Sequence, residues 1–379
     1  MTSKLDSLCA YATGKVAVEV LNVHNYISTE NMTPNKGGVV DAKILPSVQY
    51  VQQYLKGDVL VSNIRPYFKK IWMAEFDGGC SNDVLVFRAR EKCDPTFLYY
   101  VLASDKFFDY ATATSKGTKM PRGDKGAIMK FQASYFDMET QRRIGIILKG
   151  IDERIALNRQ INDNLQLLLF SLYENIALGT SCKKETQLSK LCSFQEGYVN
   201  PTQTHPEYFD GEVKWLRAVD INESFIIETS RTLTRAGFES AKKSALLFKP
   251  NTIAISKSGT IGRLGIIADY MCGNRAVINI VPNNANNLPF VYCFLKRKQK
   301  EFLDMAVGSV QKNLYVSILE PLVVCIPDDK TLDKFNAAGI ALLSTIHNNC
   351  VENTKLISLR DTLLPKLMSG EIDVSAVQL

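Results

Sequence analysis

The feature of this chain that most constrains its fold is an internal repeat. Four blocks recur in the same order, and the first three second copies follow their partners by 192 to 194 residues. The blocks are "GDVLVSNI" (57–64) with "NTIAISKS" (251–258), "CSNDVLVF" (80–87) with "CGNRAVINI" (272–280), "PTFLYYVLAS" (95–104) with "LPFVYCFLKR" (288–297), and "SKGTKM" (115–120) with "AVGSVQKNL" (306–314), the last pair aligned through Gly117 and Gly308. A chain of 379 residues is also too long for one ordinary core. The sequence therefore predicts two copies of one unit, a globular α/β domain followed by a long helix.

Each copy ends in a long amphipathic pattern, over residues 139–176 and 330–368. Apolar residues recur there at alternating spacings of four and three, which is a heptad seam. Asn158 and Asn162 interrupt the first seam, and alignment of the repeats places Asn158 opposite Asn353. A helix of roughly 37 residues is ~55 Å long, so we expect the two helices to pair as an antiparallel coiled-coil spacer. The alternative is that each helix covers its own domain.

Composition sets broad limits. Hydrophobic residues make up 46% of the chain and charged residues 22%, as in ordinary globular proteins. The net charge of +6 permits an anionic partner without requiring one. The chain starts without the apolar core of a signal peptide, and its apolar runs are too short to cross a bilayer. We expect a cytoplasmic protein without a membrane partner.

Cysteine and histidine give no sign of a metal site. No Cys-x-x-Cys pair occurs, so we expect buried free thiols in a reducing compartment. The nine cysteines are Cys9, Cys80, Cys93, Cys182, Cys192, Cys272, Cys293, Cys325 and Cys350. His24, His205 and His347 are isolated from paired cysteines, whereas zinc needs four close ligands.

The chain resembles one known family in several segments. The C-terminal "LISLRDTLLPKLMSGEIDVS" (356–375) is similar to the tail of specificity subunits of type I restriction–modification enzymes. "NYISTENMTPNKGGV" (25–39) and "FDGEVKWLRAVDIN" (209–222) resemble the opening strand of their target recognition domains. "AISKSGTIGRLGII" (254–267) resembles the strand and loop that follow, whereas the first copy has "SNIRPYFKK" there.

The resemblance implies a fold and a function. It implies two α/β target recognition domains, residues 1–138 and 182–328, separated by two long antiparallel spacer helices, residues 139–181 and 329–379. Each domain would read one half of an asymmetric, bipartite DNA sequence. The helices would dock two modification (methyltransferase) subunits, joined by restriction (translocase and nuclease) subunits. S-adenosylmethionine, ATP and magnesium would be used by those partners, and this chain would hold no cofactor.

The candidate DNA contacts lie in two kinds of segment. Residues 62–65 and 257–260 follow predicted strands and offer hydroxyls, backbone N–H groups and one cation each, which suits phosphate oxygens or base edges. Residues 115–130 and 306–314 are glycine-rich and carry basic or amide side chains. The alternatives are unliganded turns and a solvated charged loop. The candidates are Ser62, Asn63, Arg65, Lys69, Lys70, Lys116, Lys119, Arg122, Lys125, Lys257, Ser258, Gly259, Thr260, Arg263, Gln311, Lys312 and Asn313.

Catalytic motifs are missing from the sequence. It contains no Pro-Pro pair for an adenine methyltransferase loop and no Walker lysine for a translocase. Asp210, Glu212 and Lys214 have a spacing that a nuclease metal site would accept, although an exposed turn entering a strand explains it better. We therefore predict a non-catalytic subunit without a metal. The alternatives are a fragment of a fused restriction–methyltransferase enzyme, a stand-alone nuclease, and a solenoid-like scaffold that binds no nucleic acid.

Overall fold

The structure is a computed structural model that describes residues 2–179, 183–309, 311–375 and 377. It divides into two compact units, Met1–Arg154 with Leu356–Leu379, and Ile155–Lys355. The first unit is therefore built from both ends of the chain. The predicted domain boundaries at 138, 181 and 328 stay predictions, and the one at 181 lies outside the described residues.

The first unit contains two four-stranded sheets and one strand pair among its described residues. Its strands are β1 Thr2–Lys4, β2 Cys9–Tyr11, β3 Lys15–Ala17, β4 Tyr26–Ile27, β5 Tyr50–Tyr54, β6 Val59–Ser62, β7 Ile71–Met73, β8 Gly78–Cys80, β9 Val84–Ala89 and β10 Gln132–Ser134. The sheet orders are β2-β9-β6-β7 and β3-β5-β8-β4, and β1 pairs with β10. Its own helices are α1 Leu5–Leu8, α2 Pro95–Ala103, α3 Asp105–Ala113 and α4 Lys125–Ile128.

Local sequence explains where these elements begin. All four residues of β6 are buried, as a continuous apolar run at the centre of a sheet requires. Asp94 accepts hydrogen bonds from the N–H groups of Thr96 and Phe97, and Pro95 occupies the first helical position of α2. Ser104 ends α2 and caps α3 in the same way, through the N–H group of Phe107.

The second unit repeats this plan. Its strands are β11 Lys184–Gln187, β12 Cys192–Glu196, β13 Phe209–Leu216, β14 Phe225–Ile226, β15 Thr232–Leu233, β16 Leu247–Phe248, β17 Thr252–Ser256, β18 Leu264–Ile267, β19 Met271–Gly273, β20 Val277–Pro282 and β21 Val323–Ile326. Its helices are α6 Leu188–Leu191, α7 Arg235–Glu239, α8 Leu288–Lys298, α9 Phe302–Met305 and α10 Val316–Leu319. The sheet orders are β12-β20-β17-β18-β14 and β15-β13-β19-β16, and β11 pairs with β21.

The sheet orders confirm the repeat that the sequence predicted. The order β2-β9-β6-β7 in the first unit corresponds to β12-β20-β17-β18 in the second, and the repeated blocks supply β6 and β17, β9 and β20, and α2 and α8. The parallel pairing is repeated as well: Tyr26–Ile27 pairs with Gly79–Cys80 in the first unit, and Trp215–Leu216 pairs with Cys272–Gly273 in the second. The second unit adds Phe225–Ile226 at the edge of its five-stranded sheet, where it pairs in parallel with β18. Both units mix helices with sheets, in agreement with the predicted α/β class.

Two long helices, α5 Met138–Gly179 and α11 Asp329–Ser369, contribute to both units. In the first unit, Ile144 and Leu148 of α5 share a core with Leu364 and Leu367 of α11. In the second unit, α5 supplies Leu169 and Tyr173, and α11 supplies Phe335, Leu343 and Ile346. The helix α11 continues past Pro365 to Ser369.

Polar side chains in the second unit confirm that the helices pair. Asn158 Nδ2 donates to Asn353 Oδ1 at 3.0 Å and to Glu352 Oε2 at 2.8 Å. Asn158 and Asn353 are only 1% and 8% exposed. One turn further, Asn349 Nδ2 donates to Asn162 Oδ1 at 2.8 Å. The predicted seam position of Asn158 and Asn353 is therefore confirmed, and the helices run antiparallel there.

The cysteines, Lys214 and the helices bear on three further expectations. Seven of the described cysteines carry free thiols, but Cys325 is disulfide-bonded, so the expectation of free thiols is wrong there; Cys182 lies outside the described residues. Lys214 Nζ lies 3.0 Å from Asp269 and 3.2 Å from Glu228 instead of joining a nuclease-like cluster. Within the described ranges, no helix is both long and apolar enough to cross a membrane.

The asparagine pair leads to a stability prediction. Asn158→Ala should lower the free energy of unfolding by about 1–3 kcal/mol, because it leaves the Asn353 amide buried without its partner. The double variant Asn158→Leu/Asn353→Leu should lose less than the two single variants together. Denaturant unfolding followed by the fluorescence of Trp215, in the second unit, measures both.

The control is Asn164→Ala on the same helix, where the side chain is exposed. Its effect should stay within about 0.5 kcal/mol. A double-mutant cycle of Asn158 and Asn353 with no coupling energy would contradict the assignment.

Candidate nucleic-acid interface

The turns that follow β6 and β17 are held by buried serines. Ser62 Oγ donates to the carbonyl of Ile64 at 3.2 Å. Ser256 Oγ donates to the carbonyl of Thr260 and accepts from the N–H group of Arg263 at 2.8 Å. Asn63 is buried as well. Ser62 and Asn63, both predicted to contact DNA, therefore shape the turn in this structure, and the side chains beyond them form its surface.

A hairpin loop of the same length lies in each glycine-rich segment. Lys116 and Arg122 exchange two backbone hydrogen bonds, each of 2.9 Å. Val307 and Asn313 do the same, at 3.0 and 2.9 Å. Gly117 and Gly308 follow the first strand residue of each hairpin and have φ angles of +94° and +141°, which glycine adopts without strain. The predicted match between these two segments is therefore a match in backbone geometry.

Backbone hydrogen bonds join each strand-end turn to its hairpin. In the first unit, Arg65 N donates to the carbonyl of Pro121 at 2.8 Å, and Gly123 N donates to that of Asn63 at 3.1 Å. In the second unit, Leu314 N donates to the carbonyl of Lys257 at 2.9 Å. Each unit thus brings its two predicted segments together into one continuous surface, which we call the strand-end surface. It comprises residues 62–70 with 115–125 in the first unit and residues 257–263 with 306–309 and 311–314 in the second.

Acidic side chains already pair with several of the predicted cations in the first unit. Lys69 Nζ lies 2.8 Å from Asp105, whose pKa is lowered by this hydrogen bond and by nearby Lys36. Arg122 Nε lies 3.1 Å from Asp83. These pairs are partly exposed and contribute little to stability, so a stronger anion can replace the carboxylate.

Two further cations on this surface are held in different ways. Lys116 Nζ lies 2.5 Å from Asp124, and together with the Ala127 N–H group it lowers the pKa of Asp124 to about 2. Lys70 Nζ donates to the carbonyl of Thr29 at 2.6 Å, and burial lowers its pKa. Lys119 and Lys125 are exposed and have no ion-pair partner among the described residues.

Arg65 occupies an unusual position at the base of this surface. Its φ angle is +51°, which is rare for a residue other than glycine. Its Nε atom is buried and has no hydrogen-bond partner in the part of the chain that the structure describes. An unpaired buried donor of this kind is costly.

The surface of the second unit has different chemistry. Lys257 Nζ lies 2.7 Å from Glu196 and 5.0 Å from the centre of the Tyr315 ring. Burial opposes ionisation of Glu196, but hydrogen bonds from Lys257 and Tyr198 outweigh it and lower its pKa. The rest of the surface offers small hydroxyl and amide groups together with two cations that have no ion-pair partner in the described ranges. These predicted residues are Ser258, Gly259, Thr260, Arg263, Gln311, Lys312 and Asn313; Asn313 and Ser258 are half-buried and the others are exposed.

Sequence reasoning missed the exposed aromatic residues of these surfaces. Tyr67 and Phe68 stand in the turn after β6, within "RPYFKK", and Tyr315 lies beside Lys257. Aromatic residues flanked by cations are a known signal for nucleic-acid contact. The described residues contain no group of three or more His, Cys, Asp or Glu side chains arranged to hold a metal ion. The surfaces therefore offer binding groups: cations, hydroxyls, amides and rings on a rigid β scaffold.

Known proteins similar to this chain include specificity subunits of type I restriction enzymes. Residues 1–167 and 183–357 each match the family described as type I restriction modification DNA specificity domain. The specificity subunit of the type I restriction enzyme HindI from Haemophilus influenzae is 22% identical over 433 aligned residues, covering 92% of this chain and 94% of that protein. The specificity subunit of MjaIX from Methanocaldococcus jannaschii is 24% identical over 305 residues, covering 73% of this chain and 69% of that protein.

A solved structure has the same fold. The S subunit of a type I restriction–modification system from M. genitalium superimposes with a TM-score of 0.60. The match covers 97% of this chain and 96% of that one, at 19% sequence identity.

The hairpins lead to a prediction on paired glycines. A Cβ atom at position 308 would lie 2.2 Å from the Gln311 carbonyl oxygen, whereas one at position 117 would meet only the Met120 oxygen, at 3.5 Å. Gly117→Ala should therefore cost about 1–2 kcal/mol of backbone strain, and Gly308→Ala should cost clearly more. Denaturant unfolding followed at Trp72 for the first unit and Trp215 for the second checks this order.

Gly150→Ala supplies a control of opposite sign. Gly150 lies inside α5 with open space around it, so alanine should stabilise the helix by about 0.5–1 kcal/mol. Equal losses for Gly117→Ala and Gly308→Ala would contradict the described hairpin geometry.

Proposed function

The chain belongs to the family of type I restriction–modification DNA specificity domains, and we propose that its two strand-end surfaces read the two halves of an asymmetric, bipartite DNA target. As a member of this family it is a specificity subunit, and not a catalytic one. The observation that carries the proposal is the duplicated junction of strand end and hairpin. In both units backbone hydrogen bonds join a strand-end turn to a hairpin loop of the same length, and the side chains differ between the two.

The difference in side chains supports an asymmetric target. The first surface presents Arg65 and the exposed cations Lys119 and Lys125, whereas the second presents the hydroxyl groups of Ser258 and Thr260 together with the exposed cations Arg263 and Lys312. Arginine can bind guanine with two parallel hydrogen bonds, and hydroxyl groups accept or donate at several base edges. Two surfaces with such different donors would select different sequences, so a palindromic target is not expected.

The remaining parts of the chain fit the other tasks of a specificity subunit. In this proposal the helices α5 and α11 act as the spacer between the two recognition units and dock two modification subunits. Restriction subunits join that core. S-adenosylmethionine, ATP and magnesium belong to these partners, and the complex works on DNA in the cytoplasm. No observation favours a fused enzyme fragment, a stand-alone nuclease or a scaffold without nucleic acid.

The experiment that tests the proposal is methylome sequencing. A methylation-free host would express this chain together with its modification subunit. The expected result is one methylated motif with two different halves and a fixed gap, absent when either protein is omitted. Methylation that does not depend on this chain, or a palindromic motif, would contradict the proposal.

The two surfaces should be separable by mutation. Arg65→Ala should relax selectivity at one half of the target, and Thr260→Ala should relax it at the other, each by about 1–3 kcal/mol. Binding titrations on targets altered one half at a time measure the two effects. If both variants impaired the same half, the assignment of one unit to one half would fail.

Phosphate contacts should appear in the salt dependence of binding. Lys125→Ala should weaken binding to all sequences and reduce the slope of log K against log salt by about 1, because one fewer counterion is released. Lys56 is an exposed lysine at the opposite end of β6, so Lys56→Ala is the matched control and should leave the slope unchanged. Equal slopes for all three proteins would show that Lys125 does not touch phosphate.

A further inference from the structure

The turn after β6 displays two adjacent aromatic rings on the surface. Tyr67 and Phe68 are 48% and 37% exposed, and their ring centres are 4.8 Å apart. They belong to a short 3-10 turn, Pro66–Phe68, directly beyond the buried end of β6. Single exposed apolar residues are ordinary on protein surfaces, but two neighbouring rings on a basic turn are not explained by packing.

The backbone around these rings is fixed. Arg65 and Lys69 both have φ angles of +51°, so the turn is bracketed by two residues in a strained conformation. Such strain persists only where neighbours enforce it. Here Asn35 N donates to the carbonyl of Phe68 at 2.8 Å, and Lys36 N donates to that of Lys69 at 2.9 Å. Together with the Arg65 to Pro121 hydrogen bond, these contacts present both rings on a preorganised support.

Two lysines of this support pair with one carboxylate. Asp105, at the start of α3, lies 2.8 Å from Lys69 Nζ and 3.3 Å from Lys36 Nζ. Lys69 therefore helps to position the turn, which explains why its ammonium group is paired with a carboxylate. The hairpin joined to the turn adds Met120 as a further exposed apolar side chain, next to the exposed cation Lys119.

The second unit shows that the fold does not require this pair. Its equivalent turn contains Ser258, Gly259 and Thr260, and a Cβ atom at Gly259 would meet nothing within 4 Å. The turn after the equivalent strand thus carries two rings on a 3-10 turn in the first unit, and small hydroxyl groups on a turn one residue shorter in the second. The adjacent pair of rings is specific to the first unit, because the second surface has the single exposed ring of Tyr315 beside Lys257.

We infer that Tyr67 and Phe68 form an apolar wedge that inserts between base pairs of the half-site read by the first unit. This inference rests on the proposed function and deepens it. Apolar side chains inserted at a base step partly unstack it and kink the duplex, and the sequence-dependent cost of that deformation adds selectivity. The cations around the turn hold the phosphates beside the wedge, and the fixed backbone avoids ordering the rings on binding.

The same reasoning explains why a wedge suits this subunit. An adenine that is to be methylated must leave the base stack. A kinked, partly unstacked step in the same half-site lowers the energy needed for that movement. The first unit would then read its half-site through deformability as well as through hydrogen bonds, whereas the second would rely on hydrogen bonds.

The test uses the full chain and the target found by methylome sequencing. 2-Aminopurine, whose fluorescence rises when it unstacks, replaces one base at a time in the target, the methylated adenine excepted. The wild-type chain should increase the fluorescence at one step of one half-site. The double variant Tyr67→Ala/Phe68→Ala should abolish that increase and weaken binding roughly 10-fold or more. The salt slope should not change, because neither ring neutralises a phosphate.

Three controls keep the result specific. Tyr135→Ala removes another exposed tyrosine of the first unit and should bind and unstack as the wild type does. Tyr67→Leu/Phe68→Leu should retain most of the fluorescence increase, since leucine also acts as a wedge. Trp72 emission and the melting temperature of each variant report whether the first unit is folded.

The failures of the two proposals are distinguishable. If the wild-type chain shows no sequence-specific binding, the proposed function itself fails. If it binds specifically but the Ala/Ala variant keeps both affinity and fluorescence, or if no step brightens with the wild type, the wedge is wrong and the proposed function stands. An Ala/Ala variant that binds DNA normally but no longer assembles with the modification subunit would overturn the wedge in favour of a protein contact.

Discussion

The hydrogen bond between Asn158 and Asn353 is the constraint on which much of the structure depends. Both amides are buried in the helix seam of the second unit, so any shift of one helix along the other there would leave them without partners. The two helices also supply core residues to each unit, such as Leu148 and Leu364 in the first and Leu169 and Phe335 in the second. The core of each unit therefore depends on how the two helices pair within that unit.

The strand-end surfaces show how a recognition site is built on such cores. Buried Ser62 and Ser256 fold each turn back on itself, and backbone hydrogen bonds attach a hairpin to it. The exposed side chains carry no part of that framework, so they can change without loss of the fold. This separation explains how one backbone plan presents arginine and aromatic rings in one unit and small hydroxyl groups in the other.

Much of this architecture was predictable from the sequence, because its signals are local and periodic. The repeated apolar runs predicted β6 and β17 in equivalent places, the heptad spacing predicted both long helices, and alignment of the repeats placed Asn158 opposite Asn353. The joining of residues 356–379 to the first unit had no such signal. It depends on contacts between the two ends of the chain, which neither propensity nor periodicity records.

Charge was the least predictable property of the surfaces, for a physical reason. A lysine in a sequence is a potential phosphate ligand, but its availability depends on acids brought close by the fold. Glu196 is remote from Lys257 in sequence and lies 2.7 Å from it in space, and Asp105 is likewise brought to Lys69. These pairs occupy the cations before a ligand arrives, while Lys119 and Lys125, which have no ion-pair partner in the described ranges, keep the surface attractive to an anion. Because exposed pairs of this kind are weak, DNA phosphates can compete for the paired cations, but displacing each carboxylate lowers the gain from that contact. The pairs therefore reduce the electrostatic affinity of the surface for DNA of any sequence, which favours selectivity between sequences over strength of binding to all of them.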